Sequence, residues 1–248
     1  MRLNIDYEHI SFGGGVDSTA LLIEWWRKEL KPIDIIFSDT GIEQTKTYEH
    51  VAHIMKLAQE YGHKTIVVGG YERAHQDGNY TMYPDYYSYC FQNKIVPLRA
   101  YRKECTYRFK IVPSNRYIRS ILGIKNFRNK NILSYIGYNY DEKNRINDTV
   151  YKWQQQIFPL IEWKLGRKHV KQICRDYLGY VPIKSRCIIC PNQNPIEWNY
   201  SYNHHKEIID DLVINAQSDI LNFPITKKDL GINPDPKQKL LTDFLSVD

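Results

Sequence analysis

The stretch SFGGGVDSTALL, residues 11–22, decides the fold. An apolar-leaning run reaches Phe12 and three glycines follow. Beyond Asp17, the run STALLIEWWRKEL places Leu21, Leu22, Trp25 and Trp26 at helical spacing. The pattern predicts strand, glycine loop, helix. In such a turn, backbone N–H groups converge on an anion, and the positive end of the helix favours negative charge. Phosphate is the usual guest. A Walker A loop would need Gly-Lys-Ser/Thr after its second glycine, and a dinucleotide loop would need G-x-G-x-x-G. Neither pattern is present. Asp17 instead puts a carboxylate at the helix start, which repels polyphosphate unless a cation such as Mg2+ lies between them.

Downstream, IDIIFSDTG (residues 33–41) predicts a second buried strand, and TKTYEHVAHIMKLAQEYG an amphipathic helix stopped by Gly62. KTIVVGG then predicts a third strand ending at Gly69 and Gly70. Three strand-helix alternations imply an α/β fold, a parallel sheet with helices on both faces. From 71 to about 106 the periodicity fades, and an inserted segment is expected there. SNRYIRSILG then predicts a helix closed by Gly123, NILSYIGYNYDEKNR a strand and loop, and HVKQICRDYLG a helix closed by Gly179. HHKEIIDDLVINAQ predicts another helix, followed by the Pro-rich GINPDPKQ and a short terminal helix. The expected division is a nucleotide-binding α/β domain over 1–150 and a C-terminal helical, cysteine-containing region over 151–248, packed on it.

The 248 residues suffice for a sizeable core, and 42% hydrophobic with 25% charged residues argues against wholesale disorder. No apolar run approaches the roughly 18 residues of a membrane span, and the first ten residues lack the apolar centre of a signal peptide. A cytoplasmic location without a membrane partner is expected. A net charge of +6 suits a polyanionic partner. The cluster NYTMYPDYYSYC (residues 79–90) carries five tyrosines, whose rings can stack on bases or serve an ordinary surface loop or protein contact.

Five cysteines without a secretory signal do not suit a disulfide framework. Cys187 and Cys190 have the spacing that brings two thiolates to one metal, and Pro191 stiffens the turn. Cys105 adds a third thiolate and Cys90 a possible fourth, the number an iron–sulfur cluster requires. Zinc could take Cys105 with His204 or His205 instead. Redox or structural roles stay open. Cys174 lies on the apolar side of a helical segment and is expected to be buried.

Gly13 to Ser18 resembles the S-G-G-x-D-S pyrophosphate loop of the PP-loop ATP α-hydrolase superfamily, with Gly13 in place of the first serine. FSDTGIEQTKTY resembles that superfamily's D-T-G-x-E segment. CTYRFKIVP (105–113) resembles the C-T-x-x-x-K-x-x-P motif of its phosphoadenosine phosphosulfate (PAPS) reductase-like branch, and IGYNYDEKNR (136–145) that branch's G-x-x-x-D-E-x-x-R. KSRCIICP (184–191), with Trp198 after it, resembles the ending shared with DndC-type DNA phosphorothioation proteins. These blocks run in family order over about residues 8 to 200.

The resemblance implies an adenine nucleotide α-hydrolase-like, Rossmann-type fold. It also implies cleavage of ATP to AMP and pyrophosphate, with AMP attached to a substrate oxygen and displaced by sulfur or nitrogen. ATP would be held by Gly13, Gly14, Gly15, Asp17, Ser18, Asp39, Thr40, Gly41 and Gly137. Asp17 and Ser18 would act in catalysis, Lys110 and Arg145 would neutralise developing phosphate charge, and Asp17 or Asp39 would hold Mg2+. Cys105, Cys187 and Cys190 would carry a [4Fe-4S] cluster whose open iron delivers sulfide, with Cys90 or an external ligand in fourth place and Zn2+ as the alternative.

Sulfonucleotide reductases use a cysteine in a C-terminal E-C-G-x-H context, and no cysteine follows Cys190 here, which disfavours direct reduction of activated sulfate. The expected function is therefore ATP-dependent sulfuration of a nucleic acid, with a sulfur donor such as a cysteine desulfurase as partner and self-association open. The alternatives are a sulfonucleotide reductase-like or amide-forming small-molecule enzyme, and a non-catalytic nucleotide sensor in a phage or defence system.

Overall fold

In the computed structural model, which describes residues 4–76, 79–95, 97, 104–146 and 151–216, strand β1 (Tyr7–Phe12) passes through the glycines into helix α1 (Val16–Arg27). Next come β2 (Asp34–Asp39), α2 (Thr45–Glu60) and β3 (Thr65–Gly69). With β6 (Ile132–Ile136) and β7 (Gln154–Ile157) they form one sheet in the order β3-β2-β1-β6-β7, every neighbouring pair parallel. The expected α/β class is the observed one.

Consecutive apolar residues in β2 serve both faces, because side chains alternate along a strand. Ile35 and Phe37 join Ile10 and Phe12 in a core shared with α1, α2 and α7 (Arg167–Leu178). Ile36 points the other way, to Ile66, Ile118, Phe127 and Ile132 beneath α5 (Val112–Leu122). Gly62, Gly123 and Gly179 all take the left-handed backbone that closes helices.

The sheet continues past residue 150. β7 reads QQQI, without the apolar alternation that marks a strand, yet it pairs in register with β6 from Ile132↔Gln154 to Tyr135↔Ile157. An edge strand needs only backbone partners, so its sequence signal is weak. α6 (Pro159–Glu162) contributes the fully buried Leu160, and α7 packs along α1. Residues on both sides of the expected boundary thus share one core.

The segment after Gly70 holds a small hairpin, β4 (Tyr71–Ala74) with β5 (Tyr80–Tyr83), and helix α3 (Tyr86–Gln92). Asp85 caps α3 by accepting from the Ser88 amide at 2.6 Å. Of the five clustered tyrosines, Tyr83, Tyr86 and Tyr89 are buried against Phe109 in a second core, while Tyr80 is exposed. Most of that aromatic cluster therefore builds the protein interior.

A single turn α4 (Glu104–Thr106), a π-helical turn (Tyr107–Ile111) and α5 run on from one another. The wide turn lies just before Pro113, whose nitrogen has no hydrogen to donate back along the helix. The chain described ends with α8 (Pro195–His204), which the sequence pattern does not announce, and α9 (Lys206–Ala216), the helix expected over HHKEIIDDLVINAQ, starting after the break at His205. The expected terminal helix lies outside the described residues.

Candidate functional site

The glycine loop lies at the end of β1 where α1 begins. Gly15 occupies the N-cap position without a side-chain cap, and Thr19 N donates to Gly15 O at 3.0 Å. The amides of Val16, Asp17 and Ser18 are thus left as the helix-end donors that an anion can satisfy. Gly14 has φ +69°, and a β-carbon there would lie 2.7 Å from Val51 Cγ2. Ser18 Oγ accepts from Gly13 N at 3.3 Å and donates to Gly15 O at 3.2 Å, bracing the turn. Gly137, just beyond β6, approaches so closely that a β-carbon on it would stand 2.7 Å from Ser18 Cα.

Asp17 is engaged through both carboxylate oxygens. Asn139 Nδ2 donates to Oδ1 at 3.1 Å and Arg167 Nη1 to Oδ2 at 2.7 Å. Burial pushes its carboxyl above the usual range, against the opposing pull of Arg167 and Asn139. Asp39 uses only Oδ1 in its recorded hydrogen bonds, accepting from Gly41 N at 2.7 Å and Tyr48 Oη at 2.8 Å. Of the two carboxylates expected to hold Mg2+, Asp39 is the one with an oxygen to spare, and its chemistry fits that hard cation. Arg145 pairs with Glu142 and lies over the Tyr138 ring, 4.5 Å from its centre.

Lys110 sits elsewhere, among the thiols. Its Nζ is 3.7 Å from Oε1 of Glu43, which also accepts from Thr40 Oγ1 at 3.0 Å. Burial disfavours its charge, but Glu43 and the sulfurs of Cys187, Cys105 and Cys190 outweigh that and raise its pKa. Glu43 is itself buried, and its Oε2 has no hydrogen-bond partner among the described residues. Burial raises its pKa against Lys110.

Cys90, Cys105, Cys187 and Cys190 all belong to or line the second core, with free thiols. Cys187 and Cys190 share a hydrogen bond that raises the first and lowers the second. Burial raises Cys105, against Lys110. Gln193 braces the CxxC turn by donating to Ile188 O at 2.7 Å and Cys190 O at 3.2 Å. Ser201 donates to Gln193 at 2.6 Å and accepts from Gln44 at 2.7 Å.

This sulfur-rich donor set in apolar surroundings fits an iron–sulfur cluster or zinc by chemistry. Among the described residues, however, no three Cys, His, Asp or Glu side chains already surround a common point, so ligation would require the thiols to turn inward.

The loop after β2 joins the two groups. Ile188 N donates to Ile42 O at 2.8 Å, Gln44 N to Arg186 O at 3.3 Å, and Glu43 bridges Cys187. The fold therefore gathers Gly13, Gly14, Gly15, Asp17, Ser18 and Gly137 at the helix start. Lys110, Cys105, Cys187 and Cys190 gather on the sulfur side, with Asp39 at the end of β2 and Thr40 and Gly41 on the connecting loop. Asn139, Arg167, Glu43 and Tyr48 carry much of this geometry and had no role in the sequence reading. Glu43 was visible inside the D-T-G-x-E segment. Arg167 had no motif to mark it.

The family model for the phosphoadenosine phosphosulfate reductase domain matches residues 8–175. An uncharacterised protein of Methanocaldococcus jannaschii is 27% identical over 206 residues, covering 77% of this chain; the chain spans only 37% of that protein's length. The crystal structure of PAPS reductase from Candida auris, a phosphate complex, aligns with TM-score 0.46 and 15% identity over 72% of this chain and 75% of that one. No described helix is long and apolar enough to cross a membrane.

Proposed function

As this chain belongs to the phosphoadenosine phosphosulfate reductase domain family, we propose that it binds ATP on the glycine loop and cleaves it between the α and β phosphates to activate an acceptor for sulfur transfer. The observation that carries this reading is the set of uncapped amides at the start of α1, joined by one loop to a half-buried lysine and four thiols.

The amides of Val16, Asp17 and Ser18 would hold the departing pyrophosphate, and Asp39 with its free oxygen would hold Mg2+. An acceptor oxygen attacks the α-phosphorus as the bond to the β-phosphate breaks, and sulfur later displaces AMP. Arg145 would offset charge as pyrophosphate leaves. A [4Fe-4S] cluster on Cys105, Cys187 and Cys190, or zinc in its place, would supply a site for the incoming sulfur. Lys110 would offset the negative charge of that thiolate set, with Glu43 holding its ammonium in place. The net charge of +6 supports a nucleic acid as acceptor, with a cysteine desulfurase as sulfur source.

The test incubates anaerobically purified protein with labelled ATP, RNA or DNA, 35S-cysteine with a desulfurase, and a dithiol reductant that supplies the two electrons by which persulfide sulfur reaches the sulfide level. AMP, pyrophosphate and labelled nucleic acid in equal amounts are expected, and all are lost in Asp39→Ala. Pyrophosphate release without labelled nucleic acid would refute the acceptor, sulfite release from a sulfonucleotide would favour a reductase, and failure to cleave ATP would refute the whole reading.

A further inference from the structure

The loop that carries the CxxC turn lies against the glycine loop. A β-carbon on Gly15 would stand 3.1 Å from Ser185 Oγ and 3.6 Å from Ser185 N, and one on Gly13 would stand 4.0 Å from the same hydroxyl. Ser185 is half-buried, and its hydroxyl enters no recorded hydrogen bond among the described residues. A hydroxyl beside the glycine loop can donate to an anion that the helix-end amides hold. Gly13 stands where the resembling pyrophosphate loop has a serine, so the hydroxyl missing from position 13 has a counterpart 172 positions further along the chain.

We propose that Ser185 is a phosphate-binding residue that replaces the absent serine of the loop, donating to the nucleotide's phosphates from the opposite side of the cradle. The inference rests on the ATP reading above. It also bears on Gly15, where a β-carbon would stand 3.1 Å from the Ser185 hydroxyl and push it aside. Ser185 lies two residues before Cys187, whose neighbour Ile188 donates to Ile42 O at 2.8 Å. Phosphates gripped by Ser185 would therefore hold the thiol-bearing loop in place over the bound nucleotide.

Position 13 has room for the missing group, since the nearest atoms to a β-carbon there are Ser18 Oγ at 3.9 Å and Ser185 Oγ at 4.0 Å. That makes a rescue experiment possible. ATP with magnesium, and inorganic pyrophosphate, are titrated calorimetrically into the unaltered protein, Ser185→Ala, and the double variant Gly13→Ser with Ser185→Ala; thermal melting is followed in parallel. A hydrogen bond to a charged acceptor corresponds to roughly tenfold or more in affinity. Ser185→Ala is expected to weaken both ligands by that factor with unchanged melting, and the double variant to recover to within about threefold of the unaltered protein.

Equal binding by Ser185→Ala overturns the proposal, and so does a double variant no better than the single one. Affinity lost only together with a lowered melting temperature would make Ser185 structural and overturn it as well. If the unaltered protein binds neither ATP nor pyrophosphate, the ATP reading itself falls and this inference with it.

Discussion

Replacing Gly137 by alanine tests whether the end of β6 must touch the start of α1. The added methyl would meet backbone atoms, Ser18 Cα at 2.7 Å, Ser18 N at 2.8 Å and Asp17 C at 2.9 Å, none of which can rotate away. Bringing 2.7 Å out to the 3.4 Å of ordinary contact requires the strand end and helix start to part by roughly 0.7 Å. Overpacking of that kind costs about 1–3 kcal/mol. Here it displaces two of the three amides proposed to hold phosphate, so ATP affinity should fall at least about tenfold as well.

Gly123→Ala is the control. Its φ of +63° strains alanine, at about 1–2 kcal/mol, but nothing lies within 4 Å of the new carbon. Urea denaturation and calorimetry with ATP should therefore show both variants destabilised and only Gly137→Ala impaired in binding. Wild-type ATP affinity in Gly137→Ala, or equal loss in both variants, would refute the argument that this contact shapes the cradle.

Three further predictions concern the Asp17–Arg167 pair, two buried histidines and the clustered cysteines. Arg167→Ala should cost about 1 kcal/mol in urea denaturation, since the Arg167 side chain is 41% exposed and screened; adding it to Asp17→Asn should cost nearly nothing more, and additive losses would show the pair to be uncoupled. His9 and His50 are buried, and burial lowers both to about 4, so each is neutral in the folded protein and takes up a proton on unfolding below about 6.5. Their stabilisation is complete above that pH and is lost as the pH falls towards 4, by up to about 3 kcal/mol each; His50→Gln should flatten the fall between pH 7 and 4.5, and an unchanged profile would count against the assignment. Anaerobic reconstitution with iron and sulfide should give a brown protein with broad visible absorption that Cys187→Ser abolishes, whereas a colourless protein binding zinc through the same cysteines would identify the metal as zinc.

Local patterns decided the first half of the fold. The runs through Phe12, Phe37 and Val68 are apolar and β-branched, the helices between them have an amphipathic period, and Gly62, Gly123 and Gly179 end helices because they alone adopt the left-handed backbone cheaply. Spacing also marked the glycine loop and the CxxC turn, since both depend on residues close together in the chain. What needed the tertiary structure is everything held by distant partners. β7 is a strand through its backbone pairing with β6, which QQQI does not announce. Three of the five clustered tyrosines are interior because Phe109 arrives from elsewhere against Tyr86 and Tyr89, and Tyr83 packs on Tyr89 and Tyr71. Asp17 meets Arg167 and Gly15 meets Ser185 across some 150 residues or more, and such pairings are set by how helices and loops pack on a sheet, a geometry no local period records.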